Sequence, residues 1–285
     1  MRIDLHLHSS ASDGALPPAE LVEAAIAGGL DLIALADHDT VDGIGTAVAV
    51  AGERIRVLPA IEISATHRDR DIHVLGYGID PESDLMQAYG ARARDARARR
   101  IREMIERLGD LDVVVEFDAV LDEAGPAASS LARPHLARAL LSAGHVDSVA
   151  EAFDRYLGDE GPAYVPVQLL DVPQAIERIH QAGGLAVWAH PPMPLLGGAL
   201  QEFVDAGLDG LECHRPRVGP PDLNRLLNKA RQHGLLVTGG SDWHGPWHGD
   251  LGNFHIGREH VDAFLDHLDA TRGDGPGPAS RSTGG

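Results

Sequence analysis

Apolar and polar residues alternate with a period of two at the start of the chain. Ile3, Leu5 and Leu7 take one side and Asp4, His6 and His8 the other, which predicts a strand. Pro17 and Pro18 then open an amphipathic helix that Gly28 and Gly29 end. Leu32 to Ala36 is a short continuous apolar run, the pattern of a strand covered on both faces. Further strands are predicted near Val57 to Ser64 and Ile72 to Tyr77.

The pattern then changes. Asp84 to Leu108 reads as one long helix carrying Arg92, Arg94, Arg97, Arg99, Arg100, Arg102 and Arg107. Shorter helices follow around Asp118 to Glu123, Pro134 to Ser142 and Val149 to Leu157, with Leu111 to Val115 the one strand-like stretch among them. After Tyr164 to Val167 the earlier rhythm returns. Predicted helices at Pro173 to Ala182, Leu200 to Ala206 and Asp222 to His233 lead to strands at Leu185 to Ala189, Gly210 to Cys213 and Leu235 to Thr238. A last helix covers Val261 to Ala270.

Strands separated by helices predict parallel pairing and an α/β architecture, as a barrel or an open sheet. The predicted division is a first α/β part at residues 1–83, a helical insertion at 84–162, a second α/β part at 163–270 and a disordered Gly/Pro/Ser-rich tail at 271–285.

Composition narrows the function. With 24 Lys+Arg against 43 Asp+Glu the net charge is −19, which argues against nonspecific binding to nucleic acid or anionic membrane. A phosphate substrate held by metal ions stays open. The single cysteine, Cys213, leaves no intrachain disulfide and no cysteine-based zinc site. Neither a membrane span nor the apolar core of a signal peptide is visible, so a cytoplasmic protein without an obligate protein partner is expected.

Sixteen histidines exceed what packing needs, and their positions are informative. His6 and His8, at i and i+2 of a strand, share a face and can meet one ion. The Leu32 to Ala36 strand runs into Asp37, His38 and Asp39, and Glu62 falls near the end of its strand. His73 interrupts an apolar strand, His190 follows Ala189, and Asp242 and His244 follow the strand ending at Thr238. Parallel α/β folds build active sites at strand carboxyl ends, so the recurrence predicts a metal centre. His6, His8, His38, His73, His190 and His244, with Asp13, Glu62 and Asp242, give nine candidates, too many for one ion but suited to two or three that share a bridging carboxylate. Imidazole and carboxylate without thiolate suits Mn, Fe or Zn.

These segments together resemble the PHP (polymerase and histidinol phosphatase) family of metal-dependent phosphoesterases. The resemblance rests on Asp4 to Gly14, Ala36 to Gly43, Ile61 to Ser64, Ile72 to Tyr77, Ala189 to Pro191 and Gly240 to Gly245. It extends to Arg133 to Leu140, Ala152 to Leu157 and Gly161 to Pro166, which look like the branch with a helical insertion. That branch includes 3′,5′-nucleoside bisphosphate phosphatases, some of which also trim RNA 5′ ends.

The resemblance implies a distorted (β/α)7 barrel. It also implies one metal on His6, His8, Glu62 and Asp242, a second on Glu62, His73 and His190, and a third on Asp13, His38 and His244. Asp13 stands where some relatives have histidine, and its harder oxygen favours Mn or Fe. Two or three divalent ions, Mn favoured, would then yield a bridging hydroxide, held by Glu62 and Asp242, as the nucleophile.

Arg133 and His135, flanking Pro134 at a helix start, are candidates to bind a substrate phosphate away from the metals. Arg97 and Arg100 share a helix face and either reach over the site or line a solvated surface. Ala98 and Val167 replace the asparagine and basic residue that the branch often carries, which leaves the substrate open. The favoured reading is a phosphatase removing the 3′-phosphate of a 3′,5′-bisphosphonucleotide. Alternatives are a 5′-to-3′ exonuclease on short RNA, a histidinol phosphatase and a noncatalytic metal-binding interaction module.

Overall fold

Three parallel strands begin the structure, a computed structural model that describes residues 1–273. They are β1 (Arg2–Leu7), β2 (Leu32–Leu35) and β3 (Arg56–His67), crossed over by α1 (Pro18–Ala27) and α2 (Ile44–Ala51). α1 follows its sequence signals, with proline in the first turn and Gly28 at the C-cap. α2 carries no such signal: it is eight residues of Ile, Gly, Thr, Ala and Val with no capping side chain.

Parallel pairing stops at β4 (Arg70–Tyr77), which runs antiparallel to β3 and to β6 (Leu185–Trp188). The expectation of parallel neighbours throughout fails here for a local reason. Only Arg68 and Asp69 separate β3 from β4, both at positive φ, so the chain turns back as a hairpin. A parallel return would need a long crossover. β7 (Gly210–His214) and β8 (Leu236–Gly239) resume the parallel order, giving β8-β7-β6-β4-β3-β2-β1-β9 with β9 (Ile256–Gly257) antiparallel to β1. β5 (Leu170–Asp171) pairs with β3 off this path.

Seven of these strands curl into an almost closed barrel of the kind the resemblance implies. The seam lies between β8 and β1, where only an isolated bridge joins Leu7 to Trp243. The second-half crossovers are α7 (Val172–Gln181), α8 (Met193–Asp205) and α9 (Pro220–His233). α8 begins seven residues before Leu200, because Pro194 fits its first turn while Gly197 and Gly198 dilute the apolar period.

Alternate strand residues separate two cores. Leu32, Ala34, Leu58, Ala60, Leu75, Tyr77, Leu185 and Val187 share a cluster with Phe264, Leu265 and Leu268 of α10 (Asp262–Gly273). Residues of the other parity, such as Ile33, Leu35, Ile61, Ile63, Val74 and Trp188, pack against α1, α2, α7, α8 and α9. The expected tail from residue 271 starts inside α10, and its remainder after Gly273 lies outside the described residues. No described helix is long and apolar enough to cross a membrane.

α3 (Asp84–Gly109) matches its predicted span, capped by Ser83 accepting from the Met86 amide. Its first half places Met86, Tyr89 and Ala93 in the barrel core. Its second half buries Ile101, Met104 and Leu108 in a separate core with α4 (Phe117–Ala124), α5 (Arg133–Ser142) and α6 (Val149–Ala152). Leu111 to Val115 is not a strand: Asp112 turns at φ 60, and no neighbouring strand is available to pair with it.

Arg97 sits where the two halves of α3 meet and is 2% exposed, so it is not on a solvated face. Its Nε donates to Asp39 Oδ2 at 2.6 Å, Nη2 to Ser64 Oγ at 2.7 Å and Nη1 to the Leu131 carbonyl at 2.9 Å. Tyr89 hydroxyl and the Ser64 amide complete the shell of Asp39. Arg100 is similarly held, by the Val165 carbonyl at 2.6 Å and Asp71 at 2.8 Å. Arg97→Ala leaves Asp39 buried without its cation. The expected loss is about 3–5 kcal/mol of unfolding free energy in a urea titration, with little recovery in Arg97→Lys, which cannot reproduce the three-way fork.

Candidate metal centre

One rim of the barrel collects the nine residues. His6 and His8 stand at and just past the end of β1, His38 follows β2, His190 follows β6, and Asp242 and His244 follow β8. Glu62 lies within β3, bridged to His38 in parallel fashion. His73 comes from the first half of β4, and the reversal of that strand puts its beginning at the rim where the others end. Asp13 is in the loop after β1. Asp37 holds that loop, accepting from the Ser9 amide and hydroxyl, both at 2.7 Å, and from Ser12 hydroxyl at 2.6 Å.

Glu62 is the hub. Its Oε2 lies 3.2 Å from His6 Nε2, His8 Nε2 and His38 Nδ1. Its Oε1 lies 2.9 Å from His190 Nε2 and 3.0 Å from His73 Nδ1. Asp242 Oδ1 stands 3.2 Å from His8 Nε2 and 3.4 Å from His6 Nε2, and Asp13 Oδ1 is 3.4 Å from His244 Nε2. Three groups of converging donor atoms result: His6, His8, Glu62 and Asp242; His38, Glu62 and His73; and His8, Asp13, His38 and His244. The first repeats the expected quartet. In the others His8 and His38 reach further than expected, each with its second ring nitrogen, while His190 meets Glu62 and His73 from the side.

These donors fit divalent cations. Buried and without hydrogen-bond partners are His6 Nε2, both ring nitrogens of His8, Asp13 Oδ1, His38 Nδ1 and Glu62 Oε2. Orphaned buried polar atoms are rare in folded chains, and here they face one another. Four donors around one ion at bonds of about 2.0–2.1 Å lie about 3.3 Å apart, the spacing found in the first group. Ionisation agrees with this. Burial opposes charge on Glu62, yet the facing His38, His6 and His73 hold its carboxyl well below the usual range. His244 and His38 do the same for Asp13 against its burial. Burial pushes the His38 imidazole well below its ordinary value, toward the neutral form that ligates.

Sequence reasoning missed the carboxylates behind the donors. Glu212, fully buried on β7, lies 2.9 Å from His6 Nδ1 and accepts from the His190 amide at 2.6 Å, fixing the orientation of both. Its only signal is an acidic residue inside an otherwise apolar four-residue stretch. Asp4 accepts from the Ser241 amide at 2.8 Å, and burial pushes its carboxyl up to about 7. Gly240 lets β8 approach β1, since a Cβ there would sit 2.3 Å from that of His6. Asp39, His190 and Asp242, at or beside the donors, hold positive φ without being glycine.

A cavity of about 340 Å³ opens over the donors, walled by Arg97, Arg100, Arg133, Pro134 and Phe153 from the insertion. Arg133 makes both of its protein hydrogen bonds through Nη1, to the Leu157 carbonyl at 3.1 Å and to Asp159 at 2.7 Å. Arg97 borders the cavity with its guanidinium committed to Asp39, Ser64 and Leu131. The expected substrate contact at His135 is corrected: the ring is buried and off the cavity wall. Its Nδ1 accepts from the Ala132 amide at 2.9 Å to cap α5, and burial pushes its pKa down to about 4.

Comparison with known proteins agrees with this geometry. The family model described as PHP domain matches residues 4–157. A 3′,5′-nucleoside bisphosphate phosphatase of Chromobacterium violaceum is 35% identical over 259 residues, 88% of this chain and 90% of that protein. A 5′-3′ exoribonuclease of Haemophilus influenzae is 35% identical over 251 residues, 86% of this chain and 90% of the relative. The structure of an amidohydrolase from C. violaceum with bound sulfate and no metal superposes with a TM-score of 0.85 at 32% identity, over 95% of this chain and 97% of that one. With its barrel, its imidazole and carboxylate cluster and these relatives, the chain belongs to the PHP domain family of metal-dependent phosphoesterases.

Proposed function

We propose that the chain is a metal-dependent phosphatase that removes the 3′-phosphate of a 3′,5′-bisphosphonucleotide. The observation that carries this reading is the set of buried, unpartnered donors around Glu62, opening into a cavity with arginines on its far wall. His6, His8, Asp13, His38, Glu62, His73, His190, Asp242 and His244 hold two or three divalent ions, with Mn favoured by the oxygen donors of Asp13, Glu62 and Asp242. Divalent ions bound there acidify water and offset the charge that gathers on a phosphoryl group under attack.

The chain's own residues do the rest. Glu62 and Asp242, both held ionised by the imidazoles that face them, would hold the cations and the hydroxide that attacks the phosphate. Glu212 keeps His6 turned so that Nε2 points inward. Arg133, at the start of α5, offers its remaining N–H groups and the positive end of the helix to the second, 5′-phosphate. Phe153 gives the same wall an apolar face. Short RNA stands as a second reading, favoured by the relative named as an exoribonuclease. The acidic surface disfavours a grip on long duplexes.

Phosphate release from 3′,5′-bisphosphoadenosine, histidinol phosphate and a 5′-phosphorylated oligonucleotide is expected to be fastest from the first, with added Mn. Equal turnover of all three would sink the substrate assignment. Glu62→Ala is expected to abolish activity and to lower the bound metal by at least one ion in elemental analysis. Full activity in that variant removes the cluster model. Glu212→Gln keeps every donor but loosens His6, and is expected to lower metal affinity about 10–100-fold in a chelator competition. Arg133→Ala is expected to raise KM for the bisphosphate about tenfold, with little change for an aryl phosphate that lacks the second anion.

A further inference from the structure

A second opening reaches the same metal centre from its other flank. The cavity over the insertion lies against the rims of β2, β3 and β4. A separate cavity of about 330 Å³ lies along the seam, at the rims of β6, β7 and β8. His190 and Asp242 border both. Arg215 and Arg217, in the loop after β7, line the seam cavity, and neither forms an ion pair among the described residues. Arg215 Nε is buried and has no hydrogen-bond partner. Arg217 is kept at φ 64, a conformation unfavourable for a side chain of its size. Phe254 lines the same cavity and Trp247, 60% exposed, stands beside His248 at its edge.

We propose that the seam cavity binds the next sugar-phosphate unit of a short single-stranded oligonucleotide, with Arg215 and Arg217 on its phosphate. This rests on the phosphatase reading above. In a 3′,5′-bisphosphonucleotide, a water oxygen bonds to phosphorus, the P–O3′ bond breaks, and the departing 3′-oxygen takes up a proton. If the same phosphate also bears a 5′-linked nucleotide, that one bond still breaks. The products are a nucleotide with a free 3′-hydroxyl and a remaining chain with a 5′-phosphate.

The first nucleotide occupies the insertion wall in both cases, so the remaining chain must leave by the opposite flank. The seam cavity is there, with two unpaired guanidiniums for a phosphate and aromatic faces for a base. Asp250 also lines the cavity and repels anions, which sets the phosphate beside the arginines.

The test is the double variant Arg215→Ala with Arg217→Ala, assayed on a 5′-phosphorylated triribonucleotide and on 3′,5′-bisphosphoadenosine. KM for the trinucleotide is expected to rise about tenfold with kcat within about twofold, while KM for the bisphosphate stays unchanged. The slope of log kcat/KM against log salt for the trinucleotide should become shallower by about 0.7 for each phosphate left without its arginine. The single variant Arg217→Gln, smaller in its effect on the fold, should shift both readouts the same way. An equal rise on both substrates, or no change on either, overturns the proposal. So does a wild-type enzyme that hydrolyses the bisphosphate but not the trinucleotide. Metal-loaded wild type inactive on both would instead strike the phosphatase reading itself, and this inference with it.

Discussion

The burial of one carboxylate governs the rest of the molecule. Glu62 has no exposed surface, and five imidazoles stand within 3.2 Å of its two oxygens. A carboxylate taken out of water is tolerated only when charge or hydrogen bonds replace the lost hydration. The imidazoles facing it replace that hydration incompletely, since Oε2 and several of the ring nitrogens around it make no hydrogen bond. The arrangement therefore calls for cations, and the barrel is built to deliver the donors. Strand ends supply six of them, His190 and Asp242 on strained backbone, while β3 supplies Glu62, the hairpin at Arg68 and Asp69 turns His73 to the same rim, and the loop after β1 brings Asp13.

Around this hub lies a second layer of buried acids that decides where the donors point. Asp37 gathers the loop that carries Asp13, Asp39 anchors Arg97 and so the long helix α3, and Glu212 orients His6 and the backbone of His190. The helical insertion is thus fastened to the barrel by the residue next to His38. The cavity wall and the donor cluster beneath it share one network, so a change in either is felt by the other.

Much of this was readable from residue spacing, and what was not has a physical reason. His6 and His8, or Asp242 and His244, declare themselves because i and i+2 in an extended segment share a face. The α/β architecture is visible because strands and helices alternate, and the family resemblance selects the barrel over an open sheet. Glu212 gives no pattern of its own, since its partners are 206 residues away at His6 and 22 away at His190. Arg97 looks like a surface arginine until Asp39, 58 residues distant, is seen beside it. His135 reads as a ligand for phosphate, but only the backbone geometry before α5 shows its ring bound to the Ala132 amide. The reversal of β4 depends on the length and φ angles of one two-residue turn.

The seam between β8 and β1 has a consequence of its own. Backbone pairing there amounts to one bridge, with the His8 amide donating to the Trp243 carbonyl at 3.0 Å. Yet His6 and His8 stand on one side of that gap and Asp242 and His244 on the other. Cations taken by these residues would act as stitches across an unlaced edge, supplying the cohesion that a hydrogen-bond ladder gives elsewhere in the wall. Filling the centre would close the barrel mechanically as well as arm it chemically, and the amides from Ser241 to His244 would exchange with solvent faster when it is emptied.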